Sequence, residues 1–326
     1  MTSLIFALNA VLPIVVIAVV GYLCKRVGLI SVTTAKAMNK IVFRLLLPCM
    51  LFLNVYKIES PADFDFGYIW FALVLTLVFF LVGIPLCLLV TGQNRQRGPL
   101  LQAIFRSNYA LIGIPLATSL YGEEGSIVAT LLSAFSIPLY NVLAVICLSV
   151  FGDGERIDVK KILLGIVKNP LIGSIALGGV CLAVRALLQQ SGIAWRLTDL
   201  SPVYSVVEQL AATATPVALL ALGAEFELSA VPTLKKQILF GTLMRVIAVP
   251  TVALLAAYLV GGFTGAHFAA FVALFATPVA VSSVPMAQEM GADSGLAGQL
   301  VVWTTIVSAF TIFFFSFLLK AIGIFA

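Results

Sequence analysis

The chain has 326 residues, of which 61% are hydrophobic and only 10% charged, with a mean hydropathy of +1.13. A soluble domain of that length could not cover its surface with so little polar side chain, so the composition specifies a polytopic membrane protein. The net charge of +5 comes from basic residues scattered between apolar runs, which argues against nucleic-acid binding, and the five cysteines lie in or beside those runs without metal-ligand spacing.

The first apolar run, 4–24, lacks a charged leading segment and reads as a transmembrane helix rather than a cleaved leader. The further spans are 36–56, 67–91, 99–121, 126–151, 160–187, 203–222, 236–261, 267–288 and 296–322, ten in all. With the N-terminus outside, thirteen of the 19 basic residues fall in inner loops. Lys57, Arg185, Arg196 and Lys320 fall outside, and Arg44 and Arg245 lie within spans. The positive-inside rule therefore places both termini on the outer face of a cytoplasmic membrane.

The fourth span carries NYALIGIPLATSLYGEEG from Asn108, with Gly113 and Pro115 near its middle. Proline removes an amide donor and collides with the preceding turn, so the helix is expected to break there. In hydrocarbon such loose backbone survives only where it is buried in protein or lines a cavity. The ninth span repeats the pattern as TPVAVSSVPMAQEMGADSG from Thr277, and an offset of 170 sets Pro115 on Pro285 and Gly125 on Gly295.

Other stretches also match. PIVVIAVVGYLC from Pro13 pairs with PLIGSIALGGVC from Pro170, placing Gly21 on Gly178 and Cys24 on Cys181, and PCMLFLN from Pro48 pairs with PVALLAL from Pro216. Residues 1–151 and 162–326 then form two repeats of five spans, joined by the short polar linker 152–161. An odd number of spans turns the second repeat upside down, which is the inverted arrangement of many secondary transporters.

A discontinuous helix offers free amides at one half-helix and free carbonyls at the other, suited to anions and cations respectively. Near the breaks the side chains are neutral hydrogen-bonding groups: Asn108, Thr118, Ser119, Thr277, Ser282, Ser283 and Gln288. Charged candidates are scattered. Arg44, one turn before Pro48, either attracts an anion or reaches the inner interface. Glu208 is a candidate protonatable coupling group or an outer-surface carboxylate, and Glu289 a candidate for a cation site or a solvated loop. Arg106 reads as an inner-interface anchor, and Arg245 as a partner of carbonyls or of Glu225. With one histidine, His267, no histidine metal site is expected, and no nucleophile elbow, HExxH or phosphate loop is present. An enzyme lacks its acid/base cluster here and a sensor its soluble domain.

NYALIGIP resembles the Asn-x4-Gly-x-Pro signature of the auxin efflux carrier family. The likeness extends to IPLYN (137–141), TPVALLALGAEF (215–226) and PVAVSSVPMAQEMGAD (278–293), and the short linker is similar to bacterial members. The resemblance implies an all-α protein of ten helices, with scaffold and transport bundles drawn from both repeats and the fourth and ninth helices crossing at their prolines. It implies an anionic substrate framed by Asn108, Pro115, Asn141 and Pro285, and a homodimer; Gly113, Thr277, Ser282 and Ser283, beside the breaks, are the further candidates for the substrate site. The expected activity is secondary transport of a small carboxylate, malate-, malonate- or auxin-like, without cofactor or metal, driven by a proton or sodium gradient, by substrate exchange or by the membrane potential. The alternative is a sodium-coupled or sodium/proton carrier of the same architecture.

Overall fold

The computed structural model describes residues 2–57, 66–151, 164, 168–321 and 323–324; the expected linker 152–161 lies outside them. Apart from one isolated β-bridge, the regular structure among the described residues is all helical. In chain order the helices are α1 (Thr2–Arg26), α2 (Val32–Tyr56), α3 (Phe66–Val90), α4 (Asn94–Phe105), α5 (Tyr109–Val150) and α6 (Pro170–Gln190). Then come α7 (Ser201–Glu225), α8 (Val231–Leu259), α9 (Gly265–Phe275), α10 (Ser283–Glu289) and α11 (Ser294–Ala321). Among the described residues seven of these, α2, α3, α5, α6, α7, α8 and α11, are long and apolar enough to cross a membrane. Their outward faces carry exposed apolar side chains such as Leu81, Leu89, Phe310 and Phe317, as a lipid-facing surface requires.

Local chemistry explains the helix starts and bends. Ser31 caps α2 by accepting from the Thr34 amide, and Asn169 caps α6 by accepting from the Leu171 amide, with Pro170 in the first turn. The turns Val42–Leu46, Tyr109–Gly113 and Met244–Ala248 are π-helical, and each ends two residues before a proline: Pro48, Pro115 and Pro250. A proline ring collides with the carbonyl four residues back, and a wider turn opens that space without ending the helix. Helix α5 instead turns at Tyr121–Gly122, where Gly122 takes φ 64°, into arms 109–120 and 123–150. Tyr109 Oη donates to the Ala129 carbonyl 20 residues on, at 3.0 Å. Twenty residues of straight helix would span about 30 Å, so the second arm runs back along the first.

Small residues set the closest helix contacts. A Cβ on Gly21 of α1 would lie 2.2 Å from the Leu220 carbonyl oxygen of α7, and one on Gly223 of α7 would lie 1.8 Å from the Ala18 oxygen. Gly178 of α6 meets the Phe52 carbonyl of α2 in the same way, at 2.9 Å. Helices α1 with α7 and α2 with α6 therefore touch backbone to backbone.

Candidate functional site

The chain is interrupted at two places that meet. Between α4 and α5, Arg106–Asn108 leave the helix; between α9 and α10, residues 276–282 do so. The Asn108 amide donates to the Pro278 carbonyl at 2.7 Å, and Ser107 and Val279 form an antiparallel β-bridge. The Val279 amide is in turn held by Thr304 Oγ1 of α11 at 3.1 Å. The expected positions of the breaks need correction. Neither break lies at Pro115 or Pro285: Pro115 is in the first turn after a π turn, and Pro285 is the third residue of α10. Pro285 costs little in the first turn of α10, where its missing N–H has no intrahelical partner to lose, and the π turn before Pro115 makes room for its ring.

The group that dominates this crossing is Arg106. It was expected at an interface, yet it is only 3% exposed. Nη1 donates to Gln102 Oε1 at 2.9 Å and to Met286 Sδ, and Nη2 donates to Asn141 Oδ1 at 2.8 Å and Ser282 Oγ at 2.7 Å. Every acceptor is neutral, and the two described ion pairs, Arg44–Glu289 and Lys57–Glu208, do not include it. The misjudged depth has a simple source. Helix α4 starts at Asn94, five residues before the expected span, so Arg106 lies twelve residues in. At 1.5 Å per residue that is about 18 Å from the helix start.

Asn108 stands beside this cation and lines a cavity of about 150 Å³ with Met50, Leu111, Thr215 and Ser282. Its Nδ2 is buried and has no hydrogen-bond partner among the described residues. A buried donor without a partner costs about 1–3 kcal/mol unless a ligand supplies the acceptor. Met50, Leu111 and Thr215 also line a larger cavity of about 860 Å³, which reaches Pro115, Lys57 and Glu208. A further cavity of about 680 Å³ shares Asn54 and Lys57 with it and adds Arg185 and Arg196.

The other predicted residues divide into groups. Asn141 and Ser282 are brought to Arg106; Asn141 also donates to the Ile137 carbonyl, which fixes its oxygen toward the guanidinium. Thr277 is buried and donates to the Ala273 carbonyl, so its hydroxyl ends helix α9. Gly113 is explained by packing, since a Cβ there would meet Tyr109 at 2.4 Å and the Ala273 oxygen at 2.9 Å. Ser283 and Pro285 are buried in α10, with Ser283 Oγ unpartnered. Arg44, Gln288 and Glu289 lie away from the crossing. Exposed Arg44 pairs with Glu289 at 3.2 Å. Asn39 of α2 donates to both Glu225 of α7 and Gln288 of α10, while Gln288 donates to the Lys36 carbonyl. These contacts tie α2, α7 and α10 together at one end of the molecule. At the other end Glu208 pairs with Lys57 at 2.8 Å, both partly exposed, and the large cavity lies open beside them.

Arg245 completes the crossing from the side of α8. It is wholly buried and donates to the carbonyls of Ile104 at 3.3 Å, Leu274 at 3.3 Å and Phe275. These are the last carbonyls of α4 and α9, so one guanidinium holds the C-terminal ends of both interrupted helices. Of the two expected partners it takes the carbonyls, not Glu225.

A profile of the family described as membrane transport protein matches residues 6–316. The chain belongs to that family. It is the family of the auxin efflux carriers that the Asn108–Pro115 signature resembles. An uncharacterized transporter of Methanothermobacter thermautotrophicus is 22% identical over 328 residues, covering 92% of this chain and 94% of that protein. An uncharacterized transporter of Methanocaldococcus jannaschii is 28% identical over 172 residues. That match covers 50% of this chain and spans only about half (53%) of the relative's length.

Proposed function

We propose that this protein is a secondary carrier of small organic carboxylates, with its binding site at the crossing of the two interrupted helices. The observation that carries this reading is Arg106, a buried guanidinium whose described acceptors are all neutral, next to an asparagine amide with an unused donor. A buried charge without a counter-ion is costly, and a carboxylate that docks there supplies the missing partner. The basic lining of the open end, with Lys57, Arg185 and Arg196, draws anions toward it.

In this reading the chain passes the membrane ten times, α4 with the first arm of α5 making one pass and α9 with α10 another. Two features support an inverted repeat. The offsets that align Gly21 with Gly178 and Leu220 with Phe52 exchange the α1–α7 backbone contact for the α2–α6 contact. The 170-residue offset also sets Asn108 on Pro278, the pair joined at the crossing. Helices α1, α2, α6 and α7 form the scaffold; the others move. Positive-inside bias puts the Lys36 end in the cytoplasm and both termini outside, so the contacts of α10 with α2 close the inner path while the outer cavity is open. Alternating access is the exchange of those two states.

The test is uptake of labelled malonate, malate, succinate and indole-3-acetate into proteoliposomes, with a proton gradient, a sodium gradient, or neither. Saturable uptake of one acid is the expected result. Failure of the folded protein to take up or bind any of them would refute the proposal.

A further inference from the structure

The two interrupted helices end with their carbonyls converging on one place. A helix C-terminus carries about half a negative charge, so two of them create close to a full one. Carbonyl oxygens from half-helix ends are the ligands that broken-helix carriers present to a coupling sodium ion. Here the oxygens of Ile104, Leu274 and Phe275 already receive N–H groups of Arg245, whose side chain fills the space between them. The described carboxylates Glu225 and Glu289 lie at the end of the molecule where α2, α7 and α10 meet, Glu225 accepting from Asn39 and Glu289 pairing with Arg44, so neither supplies a ligand to the converging carbonyls.

We propose that Arg245 is the built-in cation of the crossing, standing where a sodium ion would otherwise bind, and that the carrier works without sodium. The proposal rests on the carrier reading above and deepens it. A tethered charge is released to neither side of the membrane, so a sodium gradient has nothing to act on. It also explains why the site can hold an anion. Without Arg245 the negative helix ends would offset the charge of Arg106 on the other face of the same crossing. With those ends neutralised, the field of Arg106 is left for a carboxylate. Arg245 is thus a positioning residue: it fixes both helix ends and does not touch the substrate.

The experiment compares thermal unfolding of purified, substrate-free wild type and Arg245→Ala in choline, sodium or dilute guanidinium chloride at equal ionic strength. The wild type is expected to melt at the same temperature in choline and in sodium. The R245A protein is expected to melt lower in choline and to regain several degrees in sodium or guanidinium, because either ion can enter the vacated carbonyl site. Sodium stabilisation of the wild type, or indifference of R245A to both ions, would overturn the proposal. Should R245A be lost on extraction, guanidinium during solubilisation is expected to recover it, and Arg245→Lys is expected to be recovered better than Arg245→Met. Equal loss of the lysine and methionine variants, with no recovery in guanidinium, also refutes it. These readouts need no substrate, so absence of acid uptake would sink the carrier reading separately.

Discussion

Substitution of Arg106 by methionine separates a binding role from a structural one, because the two predict effects of different size. The guanidinium donates four hydrogen bonds, to Gln102, Met286, Asn141 and Ser282. Losing them costs stability, about 1.5–3 kcal/mol for each good bond from a charged donor. Removing a buried charge that has no counter-ion among the described residues returns several kcal/mol of desolvation penalty. The terms oppose one another, and the melting temperature of R106M is expected to move little. Binding has no such compensation. Truncating one partner of a buried, hydrogen-bonded charge pair costs about 2–5 kcal/mol, which is about 30-fold to several thousand-fold in Kd. Arg106→Lys keeps the charge but loses the planar fork, and should fall between. Calorimetric titration of the transported acid, with parallel melting curves, provides both numbers. An R106M protein that folds and binds the acid within about threefold of wild type would refute the assignment.

Three further substitutions test the neighbouring inferences. Asn108→Ala removes the unpartnered amide beside the cation and is expected to weaken acid binding about tenfold or more with little loss of stability, since no internal side-chain bond is broken; unchanged affinity would make Asn108 a packing residue. Glu225→Gln is expected to stabilise the protein by roughly 1 kcal/mol, because Glu225 Oε1 and Asn39 Oδ1 are both buried acceptors with no donor among the described residues and glutamine supplies one. A lower melting temperature for E225Q would mean those oxygens are satisfied in another way. Gly223→Ala places a methyl group 1.8 Å from the Ala18 carbonyl oxygen and should cost about 1–3 kcal/mol by forcing α1 and α7 apart, read as a drop in melting temperature; no change would show that the two helices separate freely.

The polytopic class and the existence of two interruptions were legible because hydrophobicity and proline act locally. Their position was not. Proline reads as a breaker in sequence, but Pro115 follows a π turn that absorbs its ring, and the chain leaves the helix at Arg106–Asn108 instead. What fixes that point is tertiary: the Asn108 amide bonds a carbonyl 170 residues away, and Arg106 reaches Ser282 and Met286 across the same gap. The depth of Arg106 was hidden for a related reason. Asn94, Arg95, Gln96 and Arg97 lower the hydropathy at the start of α4, so it reads as loop, yet Gln96 is buried against Thr91 and Gln237. Polar groups satisfied by distant partners look like surface in a one-dimensional window.

The role of Arg245 was half legible for the converse reason. A charge ten residues past Lys235, deep in an apolar span, must find acceptors, and carbonyls freed by broken helices are the nearest supply. Sequence alone did not say that both breaks would share one arginine, because that needs the two α-helical ends to converge. Once they do, the crossing holds two buried cations with different partners. Arg245 binds backbone at the ends of two helices, whereas the described acceptors of Arg106 are all neutral side chains, which under the proposed function leaves its charge for a ligand. Exchanging Arg106 for a neutral residue should therefore abolish anion binding and leave cation sensitivity unchanged, while exchanging Arg245 should alter cation sensitivity first. Identical phenotypes from the two would mean that the arginines form one structural unit and that neither is reserved for substrate.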